Sequence, residues 1–374
     1  MPAKHAKHTK LIFRFFASFA YFAGKFLFFC KMKIVVRGTN WVGDAVMTIP
    51  ALRELRRVFP DSEITLHTHS WAQGVFQNAN FINEILPFEP GKSNFKIVLA
   101  QAKIWRERKF DVAVVLPNSF QSALVAKLGK AGTRIGYATD RRSFLLTDAL
   151  PVPAWKNERH EIFYYLNIVA EIEKKFFGET KVWENEPRFQ LNVSEERKAE
   201  AREILSKNAV DLSKKNVIFA AGSTNSRAKR WQAESYAELN DKIQIELNAN
   251  VVLIGAKDEL GVSLRVAENS KIKPIILTGE TNLAEATAIL SVCDLLVSND
   301  TGPAHISAAL GTKTLVVFGP TNPKTTQPWN SEIVYKNVEC APCMLRDCPI
   351  DHRCMTRISV QEVFEKAKAM LAAN

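Results

Sequence analysis

Ser298-Asn299-Asp300-Thr301-Gly302-Pro303-Ala304-His305 is the stretch of this chain richest in chemistry. It follows the apolar run 294–297 and leads into the apolar segment 306–310. That order predicts a buried strand, a turn, and a helix opened by Thr301 and Gly302. The start of such a helix presents unpaired backbone N–H groups and a positive dipole end, which suits a diphosphate. Asp300 repels a phosphate, so its expected work is to orient nearby donors or hold a sugar hydroxyl. His305, one turn into the helix, is within reach of the same phosphates. Chemistry on a nucleotide-linked group is the first reading.

Other loops supply matching groups. Residues 221–231 follow an apolar strand and contain Ser223, Thr224, Asn225, Ser226 and Lys229. Small hydroxylated residues leave backbone N–H groups open to an anion, and Lys229 adds a point charge for a phosphate. The loop is neither a P-loop nor a GxGxxG fingerprint, and an exposed basic turn is its bland alternative. Gly255-Ala256-Lys257-Asp258-Glu259 ends the next strand; Glu259 either accepts a ribose hydroxyl or serves as a first-turn acid. The loop Gly279-Glu280-Thr281-Asn282-Leu283, after the third strand of this half, is placed to border a base. Near the start, Gly43-Asp44 puts a carboxylate at a helix opening, where it can take a proton from an attacking hydroxyl. An N-cap aspartate is the competing reading there.

These groups must be held by alternating strands and helices. Strand signals fall at 33–36, 63–67, 111–116 and near 135–137, then at 217–221, 251–255, 275–277, 295–298 and 314–318. Helical spacing lies between them, including 45–59, so each series predicts a parallel α/β sheet. Ligands of open α/β sheets bind at the carboxyl ends of the strands. The chain therefore divides into an N-terminal extension at 1–32, a Rossmann-like domain at 33–185 and a second Rossmann-like domain at 186–355. A helix within 356–374 is expected to pack back on the first domain. The polar stretch 183–215 is read as the linker. The fold class is α/β, two Rossmann-like domains facing a cleft.

With 374 residues, 47% hydrophobic and 24% charged, the chain has enough material for two cores. The net charge is +11, but seven of the basic residues lie in 1–33, which has no acid. The body lacks both a basic cluster and a reader module, so no nucleic-acid partner is expected. The longest uncharged run of the Phe-rich extension, residues 15–24, is too short to span a bilayer. Lys7, Lys10, Arg14, Ser18, Tyr21 and Lys25 fall within about 40° of one direction on a helical wheel. That pattern predicts an amphipathic helix at an anionic membrane surface; a start at Met32 is the alternative. Cys340, Cys343, Cys348 and Cys354 crowd together with His352. They are read either as a structural zinc or cluster site or as reduced thiols, in a reducing cytoplasm.

Gly43-Asp44, Ala228-Lys229-Arg230-Trp231 and Asn299-Asp300-Thr301-Gly302-Pro303-Ala304-His305 together resemble the lipopolysaccharide heptosyltransferases of glycosyltransferase family 9. Leu116-Pro117-Asn118-Ser119-Phe120 with Ser122-Ala123-Leu124, then Gly132 and residues 134–137, is similar to the second inner-core enzymes. The resemblance covers residue 32 to the C-terminus. It implies a GT-B fold and inverting transfer of heptose from ADP-heptose to the lipid A–Kdo core at the cytoplasmic face of the inner membrane. It also implies Asp44 as base, Lys229 on the diphosphate, Glu259 on the ribose and Thr281 beside the adenine. Asp300, Thr301, Gly302 and His305 would surround diphosphate and heptose, and Thr224 carries over loosely. No cofactor is required, because Lys229 and the helix N-terminus offset the leaving charge. Arg134, Arg141 and Arg142 are the candidates for the anionic acceptor. The alternatives are a first heptosyltransferase or related nucleotide-sugar enzyme, and a non-catalytic, membrane-associated nucleotide-sugar-binding protein.

Overall fold

The computed structural model describes residues 31–89 and 95–373, so the extension through residue 30 lies outside the described residues. Strands β1 (Lys33–Arg37), β2 (Glu63–His69), β3 (Glu84–Phe88), β4 (Val112–Val115), β5 (Thr133–Tyr137) and β6 (Asp148–Leu150) form one parallel sheet, ordered β3-β2-β1-β4-β5-β6. Strands β7 (Asn216–Ala220), β8 (Asn250–Leu253), β9 (Ile275–Ile276), β10 (Leu295–Asn299), β11 (Thr314–Phe318) and β12 (Glu332–Tyr335) form a second, ordered β12-β11-β10-β7-β8-β9. Every residue of β4, β7, β10 and β11 is buried, as apolar, β-branched strands are when helices cover both faces. In both sheets the third strand ends one wing and the chain returns beside the first. The crevices between the β1 and β4 loops and between the β7 and β10 loops are thus the switch points where ligands bind.

The two halves share apolar packing. One continuous core includes Ile34, Val36 and Val114 of the first sheet and Ile218, Val316 and Phe318 of the second. Helix Val42–Met47 packs on helix Gly302–Ala309, and helix Gln73–Phe76 packs on helix Leu283–Leu290. Two further cores cover the outer faces of the sheets.

Several sequence expectations are corrected. The C-terminal helix, Val360–Ala372, packs on helix Ala233–Leu247 and on β10 and β11, not on the first domain. Its buried stripe, Val360, Val363, Phe364 and Ala367, belongs to the core on the outer face of the second sheet. The stretch read as linker contains helix Glu195–Lys207, which packs on helix Leu283–Leu290 while burying only Ala201 and Leu205. The helix expected over 45–59 is two helices, Val42–Met47 and Ile49–Val58, divided at Thr48; Pro50 sits in the first turn of the second, where its missing N–H is tolerated. Strands β3, β6 and β12 are sheet edges that the sequence pattern did not announce; β3 contains Pro87 and β6 has three residues. No helix among the described residues is long and apolar enough to cross a membrane.

Candidate active site

Strand β10 delivers Asn299 and Asp300 to the carboxyl edge of the second sheet. Asn299 is fully buried and works as a clamp: its Nδ2 donates to the carbonyls of Ala221 (2.8 Å) and Gly222 (3.1 Å). Its Oδ1 accepts from the Trp231 N–H (3.0 Å) and the Tyr236 hydroxyl (3.2 Å). Both ends of the 221–231 loop are therefore tied to β10. That loop brings Lys229 to Asp300, where Nζ donates to Oδ2 at 2.8 Å and to the carbonyl at 3.1 Å. Thr321, on the loop after β11, donates its hydroxyl to the same Oδ2 at 2.6 Å. Asp300 thus orients the lysine, one of the two roles open to its charge. Thr301 is the N-cap of helix Gly302–Ala309 without closing it by its side chain; its hydroxyl points back to the Asn299 carbonyl at 3.3 Å.

The first domain meets this edge directly. A Cβ on Gly302 would lie 2.8 Å from Cβ and Cγ1 of Val42, and a Cβ on Gly43 would lie 2.9 Å from Cδ2 of His305. Both glycines are needed because two helix openings approach face to face. His305 is buried, with Nε2 3.9 Å from Oδ1 of Asp300. Burial lowers its pKa to about 4, so a neutral imidazole stands at the junction.

Asp44 sits in the first turn of helix Val42–Met47, three residues past the N-cap Trp41. The N-cap reading of Asp44 therefore falls. Its carboxyl is only partly exposed to solvent, and loss of hydration pushes its pKa up to about 6. The charge of Glu161 adds to that rise, Lys229 and Lys156 oppose it, and Asp300 adds a smaller push. A half-buried carboxylate titrating near neutrality, faced by a lysine of the opposite domain, is suited to general-base work.

The outer donor loops complete the edge. Glu259 accepts from the Ala256 N–H at 2.9 Å as a first-turn acid and from the Thr224 hydroxyl at 3.3 Å. Burial raises its pKa. The Thr281 hydroxyl is buried with no hydrogen-bond partner among the described residues. Asn282, beside it, caps helix Leu283–Leu290 by accepting from Ala284 N–H (2.9 Å) and Glu285 N–H (3.0 Å).

Two acceptor candidates are not in the site. Arg134 lies at the amino end of β5, away from the ligand edge, and its guanidinium donates to the carbonyls of Ala131 (2.7 Å) and Leu145 (2.9 Å). Arg142 is fully buried; its Nε donates to the Tyr137 carbonyl (2.9 Å) and its Nη1 to the carbonyls of Ser119 (3.0 Å) and Pro117, while Nη2 is buried with no hydrogen-bond partner among the described residues. Scattered arginines look alike in sequence, and only the fold shows which ones close loops. Arg141 remains exposed on the β5–β6 loop at the ligand edge.

The cysteine-rich segment braces the Lys229 loop. The Ala228 N–H donates to the Arg346 carbonyl at 2.9 Å, and His352 Nε2 lies 2.6 Å from the Ala228 carbonyl. Ser226 donates to the carbonyls of Leu345 (3.3 Å) and Arg346 (3.2 Å). Cys340 and Cys343 are exposed, Cys348 is half-buried and Cys354 is buried. Among the described residues no three His, Cys, Asp or Glu side chains converge as a metal-binding set. Sequence reasoning missed Asn299 and Thr321 as members of the site. Thr321 had a signal in the small-residue loop Gly319-Pro320-Thr321-Asn322 after a buried strand.

Two parallel Rossmann-like domains, with a carboxylate on one facing a lysine and helix N-terminus on the other, define a glycosyltransferase of the GT-B class. The profile of glycosyltransferase family 9 (heptosyltransferase) matches residues 98–353, more than half of the chain, and the chain belongs to that family. Lipopolysaccharide heptosyltransferase 2 of Escherichia coli K12 is 32% identical over 309 residues, covering 79% of this chain and 85% of that protein. Lipooligosaccharide heptosyltransferase 2 of Campylobacter jejuni serotype O:2 is 26% identical over 350 residues, covering 91% and 98%. The solved structure of E. coli ADP-heptose lipopolysaccharide heptosyltransferase II aligns with a TM-score of 0.75 at 26% identity, covering 91% of this chain and 98% of that one. A family 9 glycosyltransferase from Veillonella parvula has the same fold, with a TM-score of 0.78 at 23% identity over 91% of this chain and 98% of its own.

Proposed function

We propose that this protein transfers heptose from ADP-heptose to the heptose already present on the Kdo–lipid A inner core of lipopolysaccharide, with inversion. The observation that carries the reading is the helix opening that bears Asp44 packed face to face on the helix opening that follows Asp300, with Lys229 held on Asp300. The relatives named heptosyltransferase 2, at 26–32% identity, support the donor and acceptor.

The acceptor oxygen forms a bond to the anomeric carbon while the bond from that carbon to the diphosphate oxygen breaks. The hydroxyl proton passes to the Asp44 carboxylate, and the electron pair leaves on ADP. Lys229 and the N–H groups of Thr301 and Gly302 offset the charge arriving on the diphosphate, so the transfer requires no metal. Asp300 keeps Lys229 aimed, and neutral His305 offers an N–H donor toward the diphosphate or heptose. Glu259 takes a ribose hydroxyl beside Thr224, and Thr281, whose hydroxyl has no partner among the described residues, borders the adenine. Arg141 meets the anionic part of the acceptor. The basic, Phe-rich segment before residue 31 holds the enzyme at the cytoplasmic face of the inner membrane, where a lipid-borne acceptor resides.

Incubation with ADP-heptose and defined core acceptors, read by mass spectrometry, tests the reading. One heptose should be added to an acceptor that carries the first heptose and none to an acceptor that lacks it. Transfer to the shorter acceptor alone would reassign the enzyme to the first step; donor binding without turnover would make it a binding protein.

A further inference from the structure

The Leu116-Pro117-Asn118-Ser119-Phe120 loop has no role in the reaction as described so far, yet it leaves β4 at the switch point of the first sheet. The side chain of Asn118 is exposed there, and its Oδ1 accepts from the Tyr164 hydroxyl at 3.2 Å. That bond commits the carbonyl end of the amide inward and leaves the NH2 as an outward donor. Tyr164 is itself fixed. Its ring stacks on Tyr137 with centroids 3.9 Å apart, and its carbonyl accepts from the Tyr137 hydroxyl at 2.7 Å. Buried Arg142 holds the carbonyls of Pro117 and Ser119 on either side of Asn118, so the loop is clamped as well.

Lys156 lies over the Tyr164 ring, with Nζ 4.2 Å from the centroid, and forms an ion pair with Glu161. Glu161 opens helix Glu161–Phe177, which packs against helix Val42–Met47 carrying Asp44. Both side chains of the pair keep an accessible edge, at 24% for Lys156 and 15% for Glu161. A fixed amide donor, an ammonium donor and a carboxylate acceptor are thus gathered around Tyr164, and the last two bring their charges to bear on the carboxylate assigned to the base. Such a set matches the alternating donors and acceptors of adjacent sugar hydroxyls.

We propose that Asn118, Lys156 and Glu161 form the subsite that binds the hydroxyls flanking the attacking hydroxyl of the acceptor sugar. The ligand class is a neutral polyol ring, distinct from the anionic groups of the same acceptor. The proposal rests on the transfer reaction above. The Asp44 carboxylate lies in the field of Glu161, Lys156, Lys229 and Asp300, its own charge reaches buried Tyr165, and His305 lies against the neighbouring Gly43. Removing the Glu161 charge therefore makes Asp44 easier to ionise.

Steady-state kinetics of Asn118→Ala, Glu161→Ala and Glu161→Gln, with both substrates varied, test the subsite. Asn118→Ala and Glu161→Ala should each raise the acceptor KM about tenfold or more, the scale of one lost hydrogen bond to a charged or fixed group. The donor KM should stay within about twofold, and Glu161→Gln should recover part of the acceptor affinity. The acidic limb of the pH–rate profile of Glu161→Gln should move to lower pH, which a purely structural role would not produce. For the wild type, an acceptor lacking one flanking hydroxyl should show the same KM penalty, and combining it with Glu161→Ala should add little. Unchanged acceptor KM in these variants, a donor KM raised equally, or a deoxy acceptor bound as well as the parent would overturn the subsite. Failure of the wild type to transfer heptose at all would instead overturn the function on which it rests.

Discussion

Asp44, Lys229, Asp300 and His305 are individually common residues whose chemistry comes from their enclosure. Loss of hydration and the nearby Glu161 charge lift Asp44 to a pKa of about 6, against partial compensation by two lysines. A base must be ionised to act, so kcat/KM should fall about tenfold per pH unit below pH 6 and level off above it. A profile flat down to pH 5, or one that falls as pH rises through 6, would remove Asp44 from the proton transfer. Lys229→Ala should lower kcat/KM by about two orders of magnitude or more, the scale of losing one charge-stabilising donor. It also leaves the buried Asp300 carboxylate without its lysine, so the double variant Lys229→Ala/Asp300→Asn, which removes that charge as well, is the useful partner; unchanged kinetics in Lys229→Ala would take the lysine out of the site. These residues were legible because a carboxylate, a lysine and a Thr-Gly helix start are short-range signals at strand ends. Asn299 was not, since its work is to bond carbonyls 77 and 78 residues away, which no local spacing reveals.

The elements are placed by backbone approach. Gly43 and Gly302 let the openings of helices Val42–Met47 and Gly302–Ala309 touch, and a methyl group at either would overlap a side chain of the other domain. Gly302→Ala should therefore lower Tm by several degrees, since overpacking costs about 1–3 kcal/mol. It should also lower kcat/KM at least tenfold by moving Asp44 away from the cradle. Wild-type Tm and turnover in that variant would show that the junction yields without cost. Central strands and the helices between them were readable from apolar runs, because burial on both faces demands such runs. Edge strands β3, β6 and β12 were not, because a half-solvated edge imposes no such demand. The C-terminal helix shows the limit of periodicity. Its stripe announces that a face is buried, yet Val363 and Phe364 find the second sheet, where the sequence reading expected the first domain.

At the scale of the molecule, two similar sheets divide the reaction between them. On the proposed mechanism the second half holds the diphosphate cradle and the first holds the base, and one apolar core spans both halves. The charge of the chain is divided too, with seven basic residues and no acid in residues 1–33. Removal of residues 1–31 should abolish salt-sensitive binding to anionic vesicles while leaving transfer to a soluble acceptor intact. Undiminished vesicle binding by the truncated protein would place the membrane contact elsewhere. The division of labour itself is tested most directly by Asp44→Ala, with ADP-heptose affinity measured by calorimetry and heptose transfer followed by mass spectrometry on the same sample. Donor affinity close to wild type with transfer nearly abolished is the expected result. Transfer at the wild-type rate, or donor affinity lost with a normal maximal rate, would show that the base lies somewhere other than across the junction from Lys229.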